Sequence, residues 1–351
     1  MKALEALVQI GVILIFTLFS GCKKSESENV LSVTTGNVEL WGEGIYTLKG
    51  TVVTMGREEI IEHGFYWSQS QNPEKDGDTV LLGARSSTGT FSVNIHDIQP
   101  GKTYYVRAFA TTGSNSCNGD VKSFSTPENM RQPVFDIENN IYYPVKIGDQ
   151  TWLGSNLQVK HYPDGSSIPL VEDQQAWFNF SLYTRAYCWY ENYSAIGSVY
   201  GALYTWPAAM NISSPADIKP GHIQGVCPDG WHLPGDNEWK QLELYLGMDT
   251  AEVELENWRG NGEGGKLKQE GTSSWFNPNT GSTDETGFSA LPSGWRDGGG
   301  YFKDLGTTAR FWSSSTRGDY AWARRLDNNS PQIYRSADGL YNGYSVRCIR
   351  D

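Results

Sequence analysis

Residues 226–247 read Val-Cys-Pro-Asp-Gly-Trp-His-Leu-Pro-Gly-Asp-Asn-Glu-Trp-Lys-Gln-Leu-Glu-Leu-Tyr-Leu-Gly. A short strand-like run around Cys227 and Trp231 gives way at Pro234-Gly235 to a helix pattern. Gly235 or Asp236 serves as N-cap, and Glu238 sits three residues after Gly235, the spacing of a capping box. Trp239, Leu242 and Leu246 recur at i, i+3 and i+7 and so share one helix face. Gly247 ends the pattern. The clearest helix is therefore expected over Gly235–Leu246.

Around this helix the chain is poor in others. A second helix is expected within Gly201–Met210, bent or ended by Pro207, and a third over Met248–Trp258. Residues 259–300 are rich in Gly, Asn and Ser and read as long loops with brief strands. Strand-like runs return at Arg310–Trp312, Tyr320–Arg324, Gln332–Tyr334 and Tyr344–Ile349. The region 138–351 reads as one α+β, loop-rich domain. Eleven of the 13 Trp lie after residue 150. Residues 128–351 carry 18 basic and 27 acidic side chains, a net of −9.

Upstream the pattern changes to period two. Ile45–Val53, Ile60–Trp67, Val80–Leu82, Thr90–Ile95, Thr103–Ala110 and Val121–Phe124 are rich in strand formers, and turn signals such as Asn72-Pro73 and Pro100-Gly101 separate them. Short strands at this spacing predict an all-β sandwich over 34–127, joined to the C-terminal domain by a linker at 128–137. Ile98-Gln99-Pro100-Gly101-Lys102-Thr103-Tyr104-Tyr105-Val106-Arg107-Ala108 resembles the E–F corner and F strand of fibronectin type III domains. The resemblance implies that the Tyr104 hydroxyl turns back onto the preceding loop, that Gly64-Phe65-Tyr66-Trp67 supplies a core aromatic from the opposing sheet, and that the module is a spacer.

At the front, Leu7–Phe19 is an apolar run of 13 residues broken by Gln9, Gly11 and Thr17. It is short for a membrane span and fits the apolar region of a signal peptide over 1–21. Phe19-Ser20-Gly21-Cys22, followed by a Ser/Glu/Lys-rich stretch, resembles a bacterial lipobox. That implies cleavage before Cys22 and acylation there, with 22–33 as a polar tether. Buried methylenes contribute about 0.8 kcal/mol each to holding such a protein on a membrane. The expected location is the outer membrane, lipid-anchored, at the cell surface. Export also sets the redox compartment. Cys117, Cys188, Cys227 and Cys348 can pair in three ways, and Cys227–Cys348 is preferred because both lie in strand-like contexts near the ends of one domain.

Several blocks of the C-terminal domain resemble, in order, the Fibrobacter succinogenes major paralogous domain. They are Val145–Leu153 with Asn156-Leu157, Tyr187–Tyr190, Tyr200–Trp206, Val226–Pro234 with Glu238-Trp239, Gly265–Lys268, Gly287–Pro292, Trp312–Ser315 and Gly343–Cys348. This family occurs on exported lipoproteins. Its Cys-Pro-x-Gly-Trp start, following helix and terminal Cys strand are similar to C-type-lectin-like folds. The resemblance implies that strands near the domain's start and end pair and that the long loops between them form the ligand face. There is no Trp-Asn-Asp triplet, and Asn277-Pro278-Asn279 alone does not supply the six to eight oxygens that calcium takes.

Other motifs carry little chemistry. Gly260-Asn261-Gly262-Glu263-Gly264-Gly265-Lys266 fits two phosphate-loop patterns, but the polar Val253–Trp258 precedes it and Leu267 replaces the expected Ser or Thr. It reads as a glycine-rich loop. His63, His96, His161, His222 and His232 lack metal-ligand spacing, as do the Cys, and no metal or other cofactor is expected. His232 reads as structural. The Ser313-Ser314-Ser315 run reads as strand or turn, since no G-x-S-x-G elbow exists. Asp284 and Glu285 are the candidate carboxylates for a glycosidase pair. A formylglycine-generating activity, found in the wider lectin-like superfamily, needs an active-site Cys pair, and none is evident.

The net charge of −12 and pI of about 5.0, with no cluster of Lys and Arg, argue against nucleic acid as partner. Trp152, Trp206, Trp231, Trp239 and Trp312 fall in family blocks and are expected in the core, whereas Trp258, Trp275 and Trp295 are the candidates for an exposed binding face. The functional expectation is a non-catalytic surface lipoprotein that binds glycan or a surface protein. The alternative is an exported enzyme acting on polysaccharide, which would need a concave pocket with converging titratable groups.

Overall fold

The structure, a computed structural model, describes residues 30–217 and 223–351. The expected signal peptide, Cys22 and His222 lie outside them. By contacts the described chain divides into two compact units. One holds 30–39, 47–94 and 103–125, and the other holds 40–46, 95–102 and 126–351.

The N-terminal strands are β1 (Leu31–Thr35), β2 (Glu39–Gly42), β3 (Ile45–Met55) and β4 (Glu62–Ser68). After one helical turn, α1 (Pro73–Asp76), come β5 (Asp78–Leu81), β6 (Gly89–Ile95), β7 (Thr103–Thr111), β8 (Ser116–Asn118) and β9 (Lys122–Ser125). One sheet has the order β1-β3-β2 with β6 also on β3; the other runs β5-β4-β7-β8 with β9 also on β7. Alternation explains the pairing. Tyr104, Val106 and Ala108 of β7 point inward and are buried, as are Leu48 and Val52 of β3. Phe65 and Phe91 meet with ring centroids 5.0 Å apart. Gly50 makes room for them, since a Cβ there would lie 2.5 Å from the Phe91 ring. The Tyr104 hydroxyl accepts a hydrogen bond from Gln69 Nε2 at 3.3 Å. Leu31–Val33, expected in the tether, belong to β1, because Leu31 and Val33 are apolar, alternate, and pair with β3.

The second unit continues with β10 (Val134–Phe135), β11 (Ile141–Tyr142), β12 (Pro144–Ile147), β13 (Gln150–Leu153), α2 (Gln174–Phe178), β14 (Tyr187–Cys188), α3 (Ser194–Tyr200), β15 (Leu203–Tyr204) and α4 (Trp206–Met210). There follow β16 (Trp231–His232), α5 (Asp236–Tyr245), β17 (Asn257–Arg259), α6 (Glu263–Leu267), β18 (Ser293–Arg296), β19 (Phe302–Leu305), β20 (Thr308–Arg317), β21 (Tyr320–Asp327), β22 (Ile333–Gly339) and β23 (Ile349–Arg350). The end of the expected linker is strand β10, which pairs with β11 around Asp136; that carboxylate accepts from the Glu138 and Asn140 N–H groups and from the Tyr142 hydroxyl.

Two sheets organise this unit. A small one has the order β12-β13-β23-β16, so Trp152 near the start pairs with Ile349 near the end. A disulfide joins Cys227 to Cys348 beside it, while Cys117 and Cys188 are free thiols. The larger sheet runs β17-β22-β21-β20-β18-β19, antiparallel except where β18 meets β20. Helix α5 packs on β20, capped as expected: Glu238 reaches back to the Gly235 N–H at 2.7 Å. Trp239 and Leu242 enter a core with Trp152, Phe288 and Phe311. A second core gathers Tyr204, Trp206, Trp231, Trp312 and Tyr344. Aromatics that each bury roughly 150–250 Å² let a unit with few aliphatic residues close its interior.

The other two expected helices differ from the structure. Gly201, at φ +82°, ends α3, and Pro207 opens α4 from its first turn, where its missing N–H costs nothing. Residues 248–258 form turns and the start of β17. The buried Arg259 guanidinium takes the Val253 carbonyl at 2.7 Å, and Asn257 turns the chain at φ +68°.

Buried cations hold the long loops in place. Lys268 Nζ donates to the carbonyls of Thr280, Asp327 and Ser330 at 2.8–3.0 Å. Arg296 serves Val171, Glu172 and Gly300, and Arg347 serves Leu153 and Phe288. Backbone carbonyls outside any ladder still need donors once buried, and these side chains supply them. Burial pushes the Lys268 ammonium down to about 8 and the Arg347 guanidinium down to about 9.

Candidate functional site

The two faces of the larger sheet differ. On the face under α5, Arg324, Arg335 and Arg259 are buried with Asp236 and Glu243. Arg259 meets Glu243 at 2.8 Å, and Arg335 meets Asp236 at 2.6 Å. Burial opposes the Asp236 charge, but Arg335 and Arg324 together outweigh it and hold the carboxyl at about 2.

The opposite face carries a lane of aromatic and arginine side chains. Trp258, Tyr334, Arg325 and Arg310 are successive cross-strand partners on β17, β22, β21 and β20, so the pleat sets them side by side. The Trp258 and Tyr334 rings are 5.1 Å apart, edge to face, with the Arg325 guanidinium 5.6 Å and 5.7 Å from them. Arg310 lies 4.2 Å from the centre of Trp295, which extends the lane onto β18. Acidic partners balance both arginines: Asp327 accepts from Arg325 at 2.7 Å, and Asp338 from Arg310 at 3.2 Å. Asp338 also accepts from the Tyr344 hydroxyl, and Asp304 accepts from Trp295 Nε1 at 2.8 Å. The result is a shallow face with flat rings, fixed by ionic clamps and close to neutral.

Of the three expected binding tryptophans, the structure brings Trp258 and Trp295 onto this lane. Trp258 is 37% exposed and Trp295 half-buried. Trp275 is corrected: it is 0% exposed, donates to the Ala290 carbonyl at 2.9 Å and lies under Lys268. A loop this long needs an anchor of its own, and Trp275 is that anchor. Tyr334, Arg325 and Arg310 were missed. Their only local signal is alternation, as in Ala309-Arg310-Phe311, and the partners lie up to 77 residues apart, as Asn257 and Tyr334 do.

The remaining motifs are engaged in structure. In the glycine-rich loop, Glu263 accepts the N–H groups of Asn261 and Gly262 at 2.7 Å and 3.0 Å, and Glu252 accepts that of Gly260. The chain's own carboxylates stand where an anion would need to sit. Asp284 accepts from the Ser289 N–H, and Glu285 pairs with Lys266 at 3.3 Å. Ser313–Ser315 lie in β20, and Ser315 Oγ accepts the Asp236 N–H. His232 is enclosed between Glu238 at 2.8 Å and Asp351 at 2.6 Å. Burial disfavours its charge, but the two carboxylates outweigh that and hold the imidazolium above its usual range. Burial among apolar groups pushes the Cys188 thiol up to about 12. Among the described residues, no group of three or more His, Cys, Asp or Glu is placed to hold a metal ion, and no helix is long and apolar enough to cross a membrane.

Comparison with curated proteins found no match. Similar solved structures include a shorter form of the sensor domain of the anti-sigma factor RsgI4 from Pseudobacteroides cellulosolvens. It is 13% identical, with a TM-score of 0.23, over 28% of this chain and 94% of that one. A solution structure of the same sensor domain is 14% identical, with a TM-score of 0.23, over 28% and 76%. The third fibronectin III domain of human KIAA0343 protein is 18% identical, with a TM-score of 0.22, over 31% and 94%. The sequence model of the Fibrobacter succinogenes major domain matches residues 145–350, more than half of the 351, and the chain belongs to that family.

Proposed function

We propose that this protein is a lipid-anchored surface lipoprotein whose C-terminal, C-type-lectin-like domain binds glycan and does not cut it. Acylation at Cys22 holds the chain on the outer membrane, and the fibronectin type III-like sandwich is a spacer. The observation that carries the reading is the lane from Trp258 through Tyr334, Arg325 and Arg310 to Trp295. Rings clamped in place lose little entropy on binding, and their flat faces suit the C–H faces of sugar rings. Pairing of a strand near the domain's start, β13, with its last strand, β23, supports the lectin-like reading.

The test is a glycan array probed with the full chain, followed by titration of the retained oligosaccharides. Trp258→Ala is expected to weaken binding by at least tenfold with an unchanged melting temperature, because Trp258 is a half-exposed edge residue. Equal binding by the variant, or turnover of a polysaccharide that one carboxylate substitution abolishes, would overturn the proposal. Cys22→Ser is expected to move the protein from the membrane to the soluble fraction.

A further inference from the structure

A second concavity lies at the end of the same domain, where α2 meets the loop after β18. It is a groove of about 440 Å³ lined by Trp177, Phe178, Phe180, Asp297, Gly298-Gly299 and Tyr341. That volume is within the range of small-molecule sites, roughly 300–1,000 Å³. Trp177 forms a fixed floor. Its far face carries the Arg296 guanidinium at 4.3 Å, its Nε1 donates to the Tyr341 carbonyl at 3.0 Å, and Phe180 packs 4.9 Å from it. Phe178 and Tyr341 are the accessible walls, 62% and 37% exposed. Tyr341 is seated between two glycines: a Cβ on Gly298 would lie 2.4 Å from its ring, and one on Gly339 2.7 Å. The ring therefore has a defined place while keeping a free edge toward the groove.

The polar chemistry is small and balanced. Asp297 accepts from the Tyr301 N–H at 2.9 Å and pairs with Lys303 Nζ at 3.0 Å. A carboxylate has about four lone-pair positions, so the two named partners leave acceptor capacity, and the half-exposed ammonium has further donors. Lys303, behind the lining, neutralises the carboxylate, so the groove offers acceptors on Asp297 without a net field to select an ion. A ligand with an apolar face for the rings and vicinal hydroxyls to donate to the Asp297 carboxylate fits both halves. We infer that this groove is a subsite for one uncharged pyranose ring of a glycan. The inference deepens the glycan-binding reading and rests on it. Lys303, the partner of Asp297, also lies 6.0 Å from the Trp295 ring of the lane.

The experiment is saturation-transfer NMR on the full chain with methyl glycosides of glucose, galactose and N-acetylglucosamine, and with glucuronic acid as the charged probe. Transfer to at least one neutral glycoside is expected, with the strongest signal on ring C–H protons. Phe178→Ala and Asp297→Asn are each expected to weaken it by about tenfold; Phe178 is exposed, and the amide keeps an acceptor for Tyr301. No transfer to any neutral glycoside, transfer unchanged in both variants, or preference for the uronic acid overturns the subsite. Trp258→Ala separates the two readings. If it abolishes oligosaccharide binding while Phe178→Ala changes nothing, the lane stands and the groove falls. If no glycan binds the unaltered chain, both fall.

Discussion

His232 shows how a single side chain can be read from its surroundings. Both ring nitrogens face carboxylates, Glu238 and Asp351, so the charged imidazolium is favoured and neither nitrogen is free to act as a base. Its folded pKa is raised above 6.5, so the stability it contributes is complete below 6.5 and is lost as pH rises through the folded value. Urea titrations on either side of that window should show the native protein losing stability with rising pH, and His232→Gln should lack that component. The buried cluster below α5 makes a second residue-scale prediction. Glu243 faces both Arg259 and Arg324 with no solvent access. Glu243→Ala leaves Arg259 without its buried carboxylate and Arg324 with Asp236 alone, and is expected to cost about 3–5 kcal/mol, measured by chemical denaturation. At this scale, legibility followed sequence distance. The Gly235–Glu238 cap spans three residues and was visible in the sequence. The fate of Trp275 depends on Lys268 and Ala290, and its burial was not.

Elements were legible where one period runs unbroken. β3, β7 and α5 keep their alternation or their i, i+3, i+7 face, and each lies within two residues of its expected span. Residues 248–258 offered no such test. There the Arg259 guanidinium, just beyond the segment and fixed by the buried Glu243, captures a carbonyl that a helix would have used. The same holds for Lys268, Arg296 and Arg347, whose carbonyl partners stabilise loops that propensity cannot describe. The strongest element-scale constraint is covalent. Cys227 and Cys348 are 121 residues apart. On the chain-entropy account, closing a loop of that length stabilises the fold by about 5 kcal/mol. Reduction, or the Cys227→Ala/Cys348→Ala double variant, should lower the melting temperature sharply. An unchanged melting temperature would show that the loop is already held by packing.

For the whole molecule, composition says nothing of where a partner would sit. The chain carries −12, yet the lane and the groove are locally balanced by Asp327, Asp338 and the Asp297–Lys303 pair. A ligand chosen by ring faces and hydroxyls should feel little screening. Its affinity is expected to change less than about twofold between 0.05 M and 0.5 M salt, whereas binding of a polyanion would fall steeply. Titration calorimetry at the two salt concentrations distinguishes these outcomes. The order of the family blocks was legible from end to end. The lane was not, because β17 and β22 are far apart in sequence, and only the completed sheet brings Trp258 beside Tyr334.

Strand β13 beside β23 also bears on how such a domain travels between proteins. Trp152, near the start of the family match, pairs with Ile349, near its end, in the middle of the small sheet, so a host chain accepting this body at a surface turn would not have to stretch its own backbone. Recombination beside that pair of strands would carry the aromatic lane and the groove across together.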